Sequence, residues 1–392
     1  MASKKKPAAK PSPEPAAKPV AAAASTPAAE RQLLNLADYE GLARERMQPA
    51  AWEYVSGAAA DEITLRWNRE AFDRVALMPR VLTDVSKLDT RVTLFEQELP
   101  FPILLAPTGF QRLVHPQGEV AVARGAGAAK ALLVMSSAAT TAVEDIAKAA
   151  TGPLWFQLYV QRDRGFTREL VGRAEQAGAK ALVLTVDTPV IGARNREARS
   201  GFCLPPGMEL PNLKGAYGKG NATPHRSVGD GIYSEALDPT LTWKDLDWLL
   251  QLAKAPVLVK GILNPGDAER AAGAGVAGII VSNHGGRNLD TAAATLDVLP
   301  QVVKRVGEQF PVLVDGGIRR GTDVLKALAL GARAVLIGRP YLYGLGVAGA
   351  EGVTRVLNIL RQEFEMAMAL TGRTRLREID RSVLWKASPA EE

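Results

Sequence analysis

Apolar positions in this chain fall into a pattern that repeats eight times after about residue 100. Each repeat is a short apolar run, a polar residue at its end, and then an amphipathic helical stretch. The first four runs are Pro102–Pro107, Leu132–Ser137, Leu154–Val160 and Ala181–Thr188. The second four are Val257–Gly261, Gly278–Gly285, Val312–Gly317 and Ala334–Pro340. Runs of Val, Ile and Leu without alternation predict parallel strands covered on both faces. Between them, Phe166–Ala177, Pro265–Ala272 and Gly321–Leu330 read as helices, and Gly178, Gly275 and Gly331 stand where a helix ends on a left-handed residue. Eight such units predict a closed α/β barrel, a (β/α)8 TIM barrel. An open doubly wound sheet is the alternative, but no Gly-x-Gly-x-x-Gly turn follows the first strand.

Before the repeats, Leu34 to Val55 has helical spacing and predicts an N-terminal helical extension, followed by a less regular stretch to about Leu99. A long insertion, Arg194 to about Thr240, follows the fourth run and is rich in Gly, Pro, Ser and Asn. Loops of that length at a barrel rim usually cover or build a site.

Composition changes the picture at the ends. Residues 1–30 are nearly all Ala, Pro, Lys and Ser and predict a disordered tail; 31–386 are the barrel domain and 387–392 a flexible tail. The apolar stretch Val20–Ser25 is short and flanked by Pro19 and Pro27, so no export signal is expected. The net charge is +6, but residues 1–30 hold five Lys against two Glu. The remainder is only mildly basic, which gives no ground for a nucleic-acid partner. No run is long and apolar enough to span a membrane. The single cysteine, Cys203, excludes an intrachain disulfide and fits a cytoplasmic location.

Barrel chemistry sits at the C-terminal ends of the strands. Those ends carry Thr108, Ser136, Gln157 with Tyr159, Thr185 with Asp187, Lys260, Ser282 with His284, Asp315, and Gly338 with Arg339. Strand ends meet water and are polar in any case, which accounts for one or two of these. It does not account for Lys260 directly after Leu-Val, or for Gln157 and Tyr159 inside an apolar strand. Asp315-Gly316-Gly317-Ile318-Arg319 opening a helix, with Gly338-Arg339, makes an anion cradle of backbone N–H groups and guanidinium. Turn geometry alone is the other explanation of those glycines. Of the three histidines, His115 precedes Pro116, His225 lies in the insertion, and only His284 stands at a strand end, with Asp187 as a candidate carboxylate partner. That pairing suits a general base. Arg194 and Arg319 are candidates to hold a substrate carboxylate, or else to pair with a structural Asp or Glu. No metal site is expected.

The segment Ser282-Asn-His-Gly-Gly-Arg-Asn-Leu-Asp290 resembles the active-site segment of the FMN-dependent 2-hydroxy acid oxidases and dehydrogenases, the family of glycolate oxidase, lactate oxidase, mandelate dehydrogenase and flavocytochrome b2. The resemblance extends through Leu104–Thr108, Phe156–Tyr159, Leu184–Pro189, Leu258–Gly261, Val314–Asp323 and Ile337–Pro340. It implies FMN as cofactor and oxidation of an (S)-2-hydroxy acid. His284 would take the hydroxyl or α-carbon proton with Asp187 behind it, by a hydride or a carbanion route. Tyr54, Tyr159, Arg194, Arg319 and His284 would bind substrate. Pro107, Thr108, Gly109, Ser136, Gln157, Thr185, Lys260 and Ser282 would contact the ring system or ribityl chain, and Asp315, Gly316, Gly317, Arg319, Gly338 and Arg339 the ribityl and phosphate.

The register for Tyr54 comes from Thr64–Asn68; a one-residue slip would place Glu53 there, whose charge would repel the substrate. Glycolate oxidase has Trp where this chain has Ala138, as lactate oxidases resemble this chain there, so an L-lactate-like side chain is expected; packing alone is the other reading of Ala138. The insertion has no membrane-like run, so O2 is the expected electron acceptor, with a soluble dehydrogenase using a quinone or protein acceptor as the alternative. A different FMN- or phosphate-binding barrel enzyme is a further one, as is a non-catalytic binding protein recruited through the basic tail. The family implies a homotetramer or homo-octamer.

Overall fold

The structure is a computed structural model that describes residues 33–216, 232–233 and 237–385. The tails expected over 1–30 and 387–392, and His225, lie outside the described residues.

The helical extension is two helices, not one. Helix α1 (Leu36–Arg46) starts on a capping box in which Asn35 and Asp38 satisfy each other's backbone N–H groups. Helix α2 (Pro49–Ser56) follows at once. The break arises because Pro49 disfavours the helical region for the residue before it, and Gln48 is extended at ψ 140°. Helix α3 (Ile63–Asp73) completes the extension.

The irregular stretch hides a hairpin, β1 (Val92–Leu94) with β2 (Gln97–Leu99), turned by Phe95 and Glu96, which both have positive φ. Its Leu94 and Leu99 pack into the apolar barrel core with Leu104, Val134, Trp155 and Leu336. Phe95 packs on Trp155, and the Trp155 indole donates to the Gln97 amide oxygen at 3.3 Å. The hairpin thus closes the floor of the barrel and leaves the opposite mouth open.

The barrel itself runs β3 (Ile103–Leu105), α4 (Gly118–Ala128), β4 (Leu133–Ser136), α5 (Val143–Ala149), β5 (Leu154–Leu158), α6 (Arg164–Gln176), β6 (Leu182–Thr185), then the short α7 (Asn195–Arg199) inside the insertion. It continues with α8 (Trp243–Leu252), β7 (Val257–Ile262), α9 (Pro265–Gly273), β8 (Gly278–Val281), α10 (Thr295–Val306), β9 (Val312–Asp315), α11 (Gly321–Ala329), β10 (Ala334–Ile337) and α12 (Arg339–Leu370). The eight strands β3 to β10 form a closed parallel barrel in chain order, sealed where Val335 pairs with Ile103. Closure excludes the open sheet. Seven of the eight strands are shorter than their apolar runs, because those runs continue into the loops that carry the polar residues; β7 instead extends one residue past its run, to Ile262. Gly178, Gly275 and Gly331 all have positive φ just past their helices, as their positions in the sequence predict.

Two local irregularities interrupt the regular pattern. The β7–β8 ladder shifts register between Lys260 and Ile262, a bulge around Gly261 at φ 107°. Helix α12 is kinked at Ala348 and Gly349 and packs along α1, α4 and α11.

Candidate active site

All eight strand ends converge on one cavity of about 210 Å³ at the C-terminal mouth. Its lining includes Tyr54, Thr108, Ser136, Gln157, Tyr159, Thr185, Arg194, Lys260, His284, Asp315, Arg319 and Arg339. Every expected substrate residue therefore faces one space, while Ser282 lies buried behind Lys260.

The loop after β8 presents His284 in a left-handed backbone conformation at φ 57°, followed by Gly285 and Gly286, also at positive φ. Such a conformation persists only where surrounding contacts hold it. Here the His284 N–H donates to Ser282 Oγ at 3.1 Å. Just before it, the amides of Asn283 and Asn68 bond each other reciprocally. The ring is aimed by Asp187, whose Oδ1 lies 2.9 Å from Nδ1. Burial, assisted by Lys260 and Arg194, holds the imidazole below its ordinary pKa despite the Asp187 charge. Burial acts to raise Asp187, but His284, Lys260 and Thr188 outweigh it and keep it below the usual carboxylate range. The pair is thus a neutral imidazole against an ionised carboxylate, a poised proton acceptor.

Beside it lie two buried guanidinium groups. Arg194 donates from Nε to the Arg287 carbonyl at 3.3 Å. Arg287 donates to the carbonyls of Tyr54 and Gly57 and pairs with Glu197 at 2.8 Å. Its guanidinium lies 4.9 Å from the centroid of the Tyr54 ring. Burial, then the Arg287 charge, lowers the pKa of Arg194. The two cations share a single carboxylate, Glu197, 3.6 Å from Arg194 and 2.8 Å from Arg287, which leaves a net positive charge that a substrate anion would stabilise. Sequence spacing alone does not single out Arg287, although it stands three positions after His284. The signal was its place in the same strand-end loop as the base.

Arg319 keeps other company. Its Nη1 donates to the Ile318 carbonyl, and its Nε lies 3.9 Å from Glu40. It acts on Arg339, which burial lowers to about 10, with Arg287 and Arg319 adding to the effect and Tyr343 and Glu40 opposing it. The arginine bonded to Arg194 is Arg287, which also shares the Gly57 carbonyl with Arg339, while Arg319 lies toward Glu40.

The remaining lining fits a flavin mononucleotide. The Gln157 amide is fixed by Ser136, the Ser137 N–H and Thr185. Such a row of hydroxyl and amide groups matches the polar edge of an isoalloxazine. Lys260 bonds Ser282 at 2.9 Å and Asp315 at 3.1 Å. Asp315 Oδ1 is buried with no partner among the described residues, an acceptor for a ribityl hydroxyl. A Cβ at Gly338 would meet only Thr108, at 3.9 Å, so the backbone there is open to a phosphate next to Arg339.

A family model for FMN-dependent dehydrogenases matches residues 43–386. The chain belongs to the FMN-dependent dehydrogenase family. It is 48% identical to an L-lactate oxidase of Nostoc sp., over 90% of this chain and 98% of that protein. It is 46% identical to glycolate oxidase 1 of Zea mays, over 89% and 95%. Among solved structures, mandelate oxidase with (S)-2-phenylpropionate is similar at a TM-score of 0.80 and 39% identity, covering 90% of this chain and 98% of that one. An active chimera of (S)-mandelate dehydrogenase is similar at a TM-score of 0.84 and 36% identity, covering 91% and 100%. This FMN-dependent dehydrogenase is an oxidoreductase that uses FMN to oxidise 2-hydroxy acids.

Proposed function

We propose that the enzyme oxidises an (S)-2-hydroxy acid with a lactate-like side chain to the 2-oxo acid and passes the electrons to O2. The observation that carries the reaction is the buried Asp187–His284 pair beside the cations of Arg194 and Arg287. The two arginines hold the substrate carboxylate, with Tyr54 and Tyr159 closing the sides. His284 takes a proton from the substrate, and the Asp187 charge stabilises the resulting imidazolium. FMN, when bound, is the two-electron acceptor. Lys260 places a positive charge under the ring site, and Arg319 and Arg339 take the phosphate.

The side-chain preference rests on Ala138. It lines the mouth, and a Cβ built at Gly109 would meet its Cβ at 3.1 Å and the Tyr54 hydroxyl at 3.6 Å. A bulky residue at 138 would fill the space beside the substrate's α-carbon; alanine leaves it for a methyl or larger group. The L-lactate oxidase relative supports the same preference and O2 as acceptor. Among the described residues no helix is long and apolar enough to cross a membrane. We expect a cytoplasmic homo-oligomer, which a sizing column checks.

The purified protein should be yellow and should bleach on anaerobic addition of lactate. In air it should yield one H2O2 per pyruvate. A higher kcat/KM for glycolate than for lactate would overturn the substrate reading. Pyruvate without peroxide would move the acceptor to a quinone or protein. His284→Ala should bind FMN yet fail to bleach, and appreciable bleaching by that variant removes His284 as the base.

A further inference from the structure

Asp187 is held by more than its histidine. Its Oδ1 receives two groups, His284 Nδ1 at 2.9 Å and the Thr188 hydroxyl at 3.0 Å. Thr188 Oγ1 is also 3.4 Å from His284 Nδ1, so the three atoms form one tight cluster. Its direction is set from the far side. The Asn288 side-chain N–H group donates to Thr188 Oγ1 at 2.8 Å and to the Asp187 carbonyl at 2.9 Å. A hydroxyl carries one hydrogen. Because Asn288 can only donate there, Thr188 must accept from it, and its own hydrogen is left for Asp187.

The carboxylate needs such a hold. Its second oxygen, Oδ2, is buried with no partner among the described residues, so both donors act on one atom. Behind the side chain the wall is a glycine, since a Cβ at Gly261 would lie 2.6 Å from the Asp187 Cβ. That wall limits where the carboxylate can go but gives it no direction. The hydroxyl supplies the direction.

We infer that Thr188, with its hydroxyl aligned by Asn288, is a positioning residue that fixes Asp187 and hence the imidazole of His284 toward the substrate. The inference rests on His284 being the base. Thr188 does not touch the reacting atoms in this reading. It narrows the orientations of the group that does, and a small misplacement of a base has a large cost in rate.

The test compares shape with hydroxyl in the FMN-loaded enzyme. Thr188→Val keeps the branched shape and removes the hydroxyl; Thr188→Ser does the reverse. Valine should lower kcat for lactate about tenfold, the scale of one hydrogen bond to a charged group, with KM within about twofold because both arginines stay in place. Serine should restore most of kcat. Packing as the true role predicts the opposite order, valine active and serine impaired, and that order overturns the inference, as does a valine variant with undiminished kcat. Should the valine protein fail to fold, Asn288→Ala frees the hydroxyl without changing residue 188, and is expected to lower kcat severalfold at constant KM; unchanged kcat there overturns the inference too. Anaerobic bleaching by His284→Asn separates the two readings. A bleaching His284→Asn enzyme rejects the base, whereas a silent His284→Asn with an unaffected Thr188→Val rejects only the role of Thr188.

Discussion

His284 works only when neutral, so the direction of its pKa sets the working range. Burial, Lys260 and Arg194 hold it below its ordinary 6.5. As pH falls through that lowered value the imidazole gains a proton and the base is lost. The acid limb of kcat/KM should therefore lie below pH 6.5. A limb above 6.5 in a pH series would show that the Asp187 charge dominates over burial. The arginines divide in the same manner. Arg287→Lys should raise KM for the hydroxy acid at least about tenfold, since lysine cannot make the planar contacts of a guanidinium, and should leave FMN bound. Arg319→Ala should instead weaken FMN retention, measured by flavin released on dilution. The proposed base could be picked out in the sequence because histidine is scarce here and one of three stands at a strand end. The proposed role of Arg287 could not, because Arg194, Arg287, Arg319 and Arg339 all line the mouth and spacing alone does not say which carbonyls and carboxylates each one meets.

At the scale of elements, the bulge in β7 is where fold and chemistry meet. Gly261 has φ 107°, and any Cβ there would approach Asp187 within 2.6 Å. Gly261→Ala should cost about 1–3 kcal/mol from backbone strain alone, read as a lower melting temperature, together with a fall in kcat as Asp187 is displaced. An alanine variant with wild-type stability and rate would mean that the strand relaxes around the new methyl group. The strands themselves were legible because residues covered on both faces must be apolar throughout. The hairpin β1–β2 was not. Its strands are three residues each, show no sustained alternation, and turn through Phe95 and Glu96 rather than an Asn-Gly or Asp-Gly pair. Its role emerges only from tertiary contact with the barrel floor.

For the molecule as a whole, the mouth gathers Arg194, Arg287, Arg319 and Arg339, offset only in part by Glu197 and Glu40, and Arg339 is lowered to about 10, chiefly by burial. Folding therefore stores repulsion that a bound anion relieves. Removing FMN should lower the melting temperature, and inorganic phosphate in millimolar excess should restore part of the loss, because it binds the folded state alone. Equal melting of loaded and stripped protein would mean that the cradle is stable without an anion. The eightfold architecture was legible from repetition, since eight similar units have few ways to hide their edges other than closing on themselves.

That closure also bears on how the protein is made. The seam pairs Ile103 with Val335, which lies in the eighth strand. A ribosome has to deliver almost the whole chain before the first strand meets its last neighbour. Until then the nascent sheet exposes an unpaired edge at Ile103–Leu105 and an open apolar interior, surfaces that attract other chains. Production should accordingly respond to chaperone supply and growth temperature more than to the thermal stability of the finished barrel.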